Sequence, residues 1–374
     1  MFLGVAIMAI ATFVFPFLAL FLRSRGCSVE QAGLLVSLFG AGSLLGFPVA
    51  GWAADRFGRR PALLAALGSA GVLTALLAVP GPLVLVAVLT LALGLAVHAY
   101  WPVANAVVTD VLPPDRYEDA FGLMYWMRNA GIALSFALGG WLSSLGFGLL
   151  FGLDAATTLA ACCLLWFKLP RAEARPPAAP VKNQAGWGAV LADKPMRRLL
   201  LLNTVFAVCL FQHMVALPLA MTARGLGATD YGLSMAVNGV LIILLQPWTT
   251  SLTRTRRPAA VLALAALLVA VGQGLYAVCA TLPQYAAATG VWSLGEILAV
   301  PVLSAWTGRL APAHLSGRYQ GAMGFSFGLG LTLAPVVGPV VLGRFGGQTL
   351  WMGCGVVGTG VALAYLALFR DRPE

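Results

Sequence analysis

A few side chains able to exchange protons or make hydrogen bonds stand inside long apolar stretches of this chain. Glu296, in the run Tyr285–Trp306, reads as the only acid deep within any such stretch. A charged residue at the centre of a bilayer costs about 2.5–3.5 kcal/mol or more on insertion scales. A carboxyl group there therefore holds a proton until it is hydrated or paired, which is what a proton carrier requires, and it can also bind a cationic substrate. The alternative is a protonated acid making a structural hydrogen bond between helices. His98 and His213 sit in other apolar runs and can relay protons, since imidazole titrates near neutrality, or can bond neighbouring helices. Gln212, Asn105 and Asn238 offer neutral polar contacts to a bound molecule, whereas Gln273 reads as interhelical glue. Phe13, Phe17 and Phe21 recur every four residues, and Tyr100, Trp101, Trp126 and Trp292 occupy further runs. An aromatic surface with so few polar groups suits lipophilic compounds better than sugars. Facing lipid is the other reading of the phenylalanine stripe.

The elements that must hold these residues follow from composition. Of 374 residues, 60% are hydrophobic and 10% charged, and the mean hydropathy is +0.89. Soluble proteins carry about 25% charged residues, so this chain needs lipid as part of its solvent. A membrane-spanning helix takes about 20 apolar residues. Twelve continuous runs are legible, from Phe2–Leu22 to Leu350–Phe369, and they do not alternate as barrel strands would. The fold class is an all-α membrane protein. The 43 glycines permit close approach of helix backbones. A polar Pro/Ala-rich gap, including Arg175 to Pro180, divides the chain into a bundle over 1–168, a cytoplasmic linker over 169–198 and a bundle over 199–374. The six cysteines have no metal or disulfide spacing, and no phosphate loop or nucleophile–base pair is present. No cofactor, metal or enzymatic reaction is expected.

Placing both termini in the cytoplasm puts 18 of the 23 Lys and Arg residues inside and 4 outside, leaving Arg128 within the fifth run. This asymmetry is the positive-inside pattern, and it accounts for the net charge of +10 without a nucleic-acid partner. The first run is too long and lacks the cleavage pattern of a signal peptide, so it reads as a retained span. It opens at Met1 with no basic lead-in, as it would if a short cytoplasmic segment preceded it. Shifting the sequence by 199 superposes Gly33 on Gly232, Gly40 on Gly239, Pro48 on Pro247, Pro102 on Pro301 and Pro113 on Pro312. Gly122, Gly131 and Gly139 fall on Gly321, Gly330 and Gly338 at the same offset. The two halves are therefore parallel repeats of six helices.

Between the second and third runs stands Gly51-Trp-Ala-Ala-Asp55-Arg56-Phe-Gly58-Arg59-Arg60-Pro61. It resembles the signature of the major facilitator superfamily, with Ala53 where leucine is usual. Gly51 is expected to let the second helix approach a neighbour, Gly58 to supply a turn, and Asp55 to accept from a helix N-terminus. Arg59 and Arg60 are expected to pair acids such as Asp110 or Asp115, and Arg128 to snorkel or to pair with Asp110 or Glu118. The resemblance implies that Gly51, Asp55, Arg56, Gly58, Arg59 and Arg60 form a cytoplasmic gate. Segments such as Gln212…Leu217-Pro218 and Arg318-Tyr-Gln-Gly321 look most like the twelve-helix drug–proton antiporters. Two departures are the absence of an arginine upstream of Gly94 and the replacement of an inner Gly-Pro by Ser135-Phe136. The resemblance implies a monomeric transporter in the inner membrane, moving lipophilic or drug-like molecules outward against protons. The alternatives are a carrier for a defined metabolite such as a sugar, amino acid or siderophore, and a transport-dead sensor on the same fold. The topology predicts that reporters fused after Lys182 and Arg257 are active on the cytoplasmic side and one near Leu226 on the outer side; inversion of any two overturns it.

Overall fold

Hydrocarbon offers no partner for a backbone N–H or C=O, so apolar runs of this length must bond within themselves as helices. The computed structural model describes residues 14–111, 117–168, 187–253, 256–312 and 315–369, and no strand occurs among them. The helices are α1 (Val14–Ser24), α2 (Val29–Phe57), α3 (Arg59–Ala78), α4 (Leu83–Val111), α5 (Tyr117–Leu145), α6 (Phe147–Lys168) and α7 (Trp187–Ala192). They continue as α8 (Lys194–Leu210), α9 (Gln212–Ala223), α10 (Ala228–Thr253), α11 (Pro258–Leu275), α12 (Leu282–Leu310) and α13 (Ser316–Leu368). Phe13, the beginning of the first run and linker residues 169–186 lie outside the described residues.

Among the described residues nine helices are long and apolar enough to cross a membrane, with α8 and α9 forming one crossing from Lys194 to Ala223. α13 is two helices joined at Gly346, whose φ of 84° breaks the helical path. Counting both halves of α13 and adding α5 and the short α1 brings the segments to the expected twelve. α8 starts five residues before the run read from hydropathy at Leu199. Asp193 accepts from Met196 N at 3.4 Å and so caps a basic first turn that an apolar count passes over.

The repeat is visible in the element boundaries. An offset of 199 carries Leu83–Val111 onto Leu282–Leu310, and the start of α2 onto the start of α10. It carries Gly26 (φ 84°) onto Gly225 (φ 80°), each a left-handed turn at the end of a membrane helix. It also carries a tie between helices: Arg25 donates to the Ala78 carbonyl at 3.4 Å, and Arg224 to the Ala277 carbonyl at 3.1 Å. Each arginine thus supplies donors to a carbonyl at a helix C-terminus, where the backbone runs out of partners.

The chain forms two compact units, Met1–Ala179 with Gly227–Gly239, and Pro180–Leu226 with Val240–Glu374. In the first, α2 packs chiefly on α4, and α3 on both α4 and α6. In the second, α11 packs on α12 and α13, and α8 on α13. Glycines set the closest crossings. A Cβ on Gly94 would overlap the Phe39 carbonyl oxygen, and one on Gly46 would stand 2.7 Å from the Leu95 oxygen. Gly272 and Gly295 do the same between α11 and α12, at 2.5 Å from Trp292 N and from the Ala265 oxygen. Gly51 does not share this role. Nothing lies within 4 Å of its would-be Cβ, so the expectation of a close approach there is corrected: it faces outward, and α2 makes its tight crossing at Gly42 and Gly46. Overpacking costs about 1–3 kcal/mol. Gly94→Ala should therefore lower the melting temperature in detergent, while Gly51→Ala should melt with the wild type.

Candidate functional site

The second unit contains a membrane crossing whose helix is interrupted, and polar side chains gather at the interruption. At the junction of α8 and α9, Phe211 adopts φ −74°, ψ 0°, and Met214 N bonds to Phe211 O at 3.1 Å rather than one residue further back. The Leu210 carbonyl is thereby released from the helical ladder. Two side chains take it up: His213 Nδ1 at 2.6 Å and, from α11, Gln273 Nε2 at 3.3 Å. A carbonyl only accepts, so His213 carries its proton on Nδ1. Gln212 Nε2 returns to the Val208 carbonyl at 3.1 Å. These three polar residues are buried because the interrupted backbone needs donors there.

His213 stacks on Trp292 of α12, with ring centroids 4.7 Å apart and planes 21° apart. Trp292 Nε1 donates to the Tyr276 hydroxyl at 2.7 Å, and that hydroxyl shares a proton with Thr289 Oγ1 at 2.6 Å. Trp292, Tyr276 and Thr289 are fully buried. Glu296 follows Trp292 by four residues, so the two share a face of α12. It is half-buried, and Gln246 Nε2 donates to the Ile297 carbonyl beside it at 3.3 Å. The structure therefore brings Gln212, His213 and Trp292 together, with Glu296 one turn along, and adds Tyr276, Thr289 and Gln273 to them. Tyr276 and Thr289 were missed because an internal Tyr or Thr in an apolar run is unremarkable until its partner is known.

In the first unit His98 Nδ1 donates to the Gly94 carbonyl at 3.0 Å, and the ring meets the edges of Phe39 and Phe47 at 5.5 and 6.0 Å. His98 and Glu296 occupy nearly equivalent places, since the repeat offset carries residue 98 onto 297. Tyr100, expected among substrate contacts, is packed with Leu63, Leu67, Val103 and Leu165 in an apolar cluster. Phe17 is fully buried between Phe136 and Tyr231, at 6.5 and 5.5 Å, and Phe21 lies 4.5 Å from Phe151, so both face protein. Asn238 is buried on α10. The side chains of Asp55, Trp101 and Asn105, and all of Asp115, lie outside the described residues.

Three further expectations concern Arg60, Arg128 and Glu296. Gly58 makes the turn between α2 and α3 at φ 89°; Arg60 donates to the Trp166 carbonyl and lies 5.4 Å above the Trp166 ring, while the carboxylates of Asp110 and Asp115 lie outside the described residues. Arg128 is exposed, and the side chains of Asp110 and Glu118, its alternative partners, lie outside the described residues. Glu296 is not the only acid deep in an apolar run, because Asp154 on α6 is 3% exposed and accepts from Val14 N at 3.0 Å. No cluster of metal-ligand type occurs among the described residues.

Paired bundles of membrane helices, one crossing interrupted around buried polar groups, define a membrane transport protein. The family model of the Major Facilitator Superfamily matches residues 1–327 and again 213–374, and the chain belongs to that family. It is 28% identical to the multidrug resistance protein MdtH of Aeromonas hydrophila, over 86% of this chain and 82% of that protein. It is 25% identical to a Na(+), Li(+), K(+)/H(+) antiporter of Planococcus maritimus, over 91% and 86%. A crystal structure of a POT family transporter in complex with 5-aminolevulinic acid superposes with a TM-score of 0.84 at 13% identity, covering 98% of this chain and 94% of that one; it speaks to the fold.

Leaving a buried polar group without its partner costs about 1–3 kcal/mol. Tyr276→Phe strips the partner from both Trp292 and Thr289, so it should lower thermal stability and change tryptophan fluorescence; unchanged melting and emission would show the network to be dispensable.

Proposed function

We propose that this transporter exports lipophilic, drug-like compounds in exchange for protons, by alternating access in the inner membrane, as a monomer with both termini cytoplasmic. The observation that carries this reading is the shared α12 face of Glu296 and Trp292, with His213 stacked on the indole. A carboxyl group beside buried aromatic rings supplies both requirements of such a carrier. The rings favour flat apolar molecules and cations, and the carboxyl group exchanges its proton for a positive charge. Protonated, Glu296 tolerates the apolar surroundings; deprotonated by contact with water or with a cation, it opens the return half of the cycle. The similarity to a multidrug resistance protein supports the substrate class.

His98 is a second candidate relay group, and Gln212, Asn105, Asn238, Tyr100, Trp292 and Phe17 remain the proposed substrate contacts. Gln212, Asn238, Tyr100, Trp292 and Phe17 are all buried, so they act only where the cavity opens onto them. The Gly51–Arg60 segment is the proposed cytoplasmic gate, with Gly58 as its turn. A second reading, exchange of alkali-metal cations for protons, is favoured by the Planococcus relative. Glu296 would then supply a hard oxygen ligand.

Glu296→Gln keeps shape and hydrogen bonding but removes titration. In proteoliposomes it should retain counterflow of chloramphenicol, a neutral compound, while losing accumulation of ethidium driven by an imposed pH gradient. Wild-type accumulation by the mutant would make Glu296 structural. Dissipation of the gradient by Na+ or K+ with no organic compound present would favour the second reading.

A further inference from the structure

Asp154 takes no part in the site described above, yet it is more deeply buried than Glu296. It lies seven residues into α6, is 3% exposed, and its Oδ2 accepts the backbone N–H of Val14 on α1 at 3.0 Å. The side chain therefore spans two helices that are 140 residues apart in sequence. Residues one turn before it on α6, Leu150 and Phe151, and one turn along α1, Phe17 and Leu18, are apolar and at or near zero exposure, while one turn further along α6 stand Thr157 and the buried Thr158. A purely structural tie from α6 to a backbone N–H could be made by Asn, Ser or Thr, each cheaper than an ionisable acid in hydrocarbon.

Apart from Arg128 near the middle of α5, the helices packed against α6 carry their charged residues toward their ends. On α3 these are Arg59 and Arg60, with Arg60 turned to Trp166. On α1 it is Arg23, bonded to the Cys27 carbonyl at 2.6 Å, and just past its end Arg25 lies 4.9 Å above the Phe21 ring. On α5 they are Glu118, Asp119 and Arg128, all in its first half, and α6 itself ends at Lys168, with Cys162 and Cys163 a turn before it.

We propose that Asp154 is a second proton-binding acid of this carrier, whose proton exchange sets how firmly α6 holds the backbone of α1. The proposal rests on the proton-coupled reading above. The proton adds to a carboxylate oxygen from the aqueous phase and leaves by the same atom; the Val14 proton stays on nitrogen. Ionised, the carboxylate makes a charge-assisted bond to Val14 N–H, roughly twice as strong as the bond made by the neutral acid. Protonation thus loosens the tie and deprotonation tightens it. The effect passes along α1 to Phe17, one turn beyond Val14, whose ring lies against Phe136 and Tyr231. Proton occupancy of α6 and the packing of α1 are in this way linked through one hydrogen bond.

Asp154→Asn keeps an acceptor for Val14 N–H and abolishes titration. Wild type, Asp154→Asn and Glu296→Gln are reconstituted and compared by infrared pH titration of buried carboxyl bands and by ethidium accumulation under an imposed pH gradient. Each mutant should lose a different carboxyl band. Asp154→Asn should also melt as the wild type does and fall to the accumulation seen without a gradient. The proposal is overturned if Asp154→Asn retains every such band, or if it accumulates ethidium with an unchanged pH profile. Should Asp154→Asn fail to fold, Asp154→Glu decides: a shifted band supports the assignment and an unshifted one overturns it. Normal accumulation by Glu296→Gln together with loss in Asp154→Asn would sink the Glu296 reading and leave Asp154 standing.

Discussion

Every backbone polar group within the hydrocarbon must find a partner made of protein, and the rest of this architecture follows from that demand. Uninterrupted α-helices meet it locally, so most of each run needs nothing from its neighbours. The places where the helical ladder fails are where side chains become committed. Leu210 loses its helical donor at the α8/α9 junction and receives His213 and Gln273 instead. Ala78 and Ala277 are last-turn or post-helix carbonyls, and each draws an arginine from a neighbouring helix end. The Trp166 carbonyl near the end of α6 draws Arg60 in the same manner. Polar residues in this chain are thus located first by the backbone, and any transport chemistry is built on residues already positioned for that reason.

With the backbone satisfied, association between helices depends on how closely they can approach, because lipid is as apolar as the side chains that would be buried. Gly42, Gly46 and Gly94 bring α2 against α4, and Gly272 and Gly295 bring α11 against α12. The second contact has a direct consequence for the site. The Gly272 crossing sets the α11 backbone against Trp292, and the same crossing puts Tyr276 within hydrogen-bonding reach of Trp292 and Thr289. The aromatic stack beneath Glu296 therefore depends on a residue with no side chain on another helix.

Much of the fold was legible because its signals are long or repeated. Runs of about 20 apolar residues survive any local ambiguity. The 199-residue offset was visible in glycines and prolines and holds for the ends of α4 and α12, for Gly26 and Gly225, and for the paired arginine ties. The site was legible only in part. His213 and Glu296 stand out because titratable residues are rare in apolar runs, but nothing in the sequence marks the break at Phe211, where neither glycine nor proline is present. Asp154 escaped because it sits near the start of its run, and the partner that explains its burial is on α1. Arg60 reaches a carbonyl near the end of α6, since a helix C-terminus carries partial negative charge of its own. Tyr100 was assigned to a cavity by type, and in this structure it packs in an apolar cluster with residues of α3.

The residues proposed to exchange protons also bear on helix shape. His213 supports an interrupted crossing through the Leu210 carbonyl, and Asp154 holds α1 through Val14. A change of charge at such a residue alters a bond on which backbone geometry depends, so protonation and conformation are linked at the site itself. A carrier needs only that its two states bind the proton with different affinity; the free-energy gap it can exploit is limited to that difference. A charge-assisted bond replaced by a neutral one offers a difference of the right order, since hydrogen bonds to charged groups contribute about 1.5–3 kcal/mol against about 1 kcal/mol for neutral ones. On this proposal no relay of side chains across the bilayer is required, and the coupling resides in helices whose backbone bonding includes an ionisable partner.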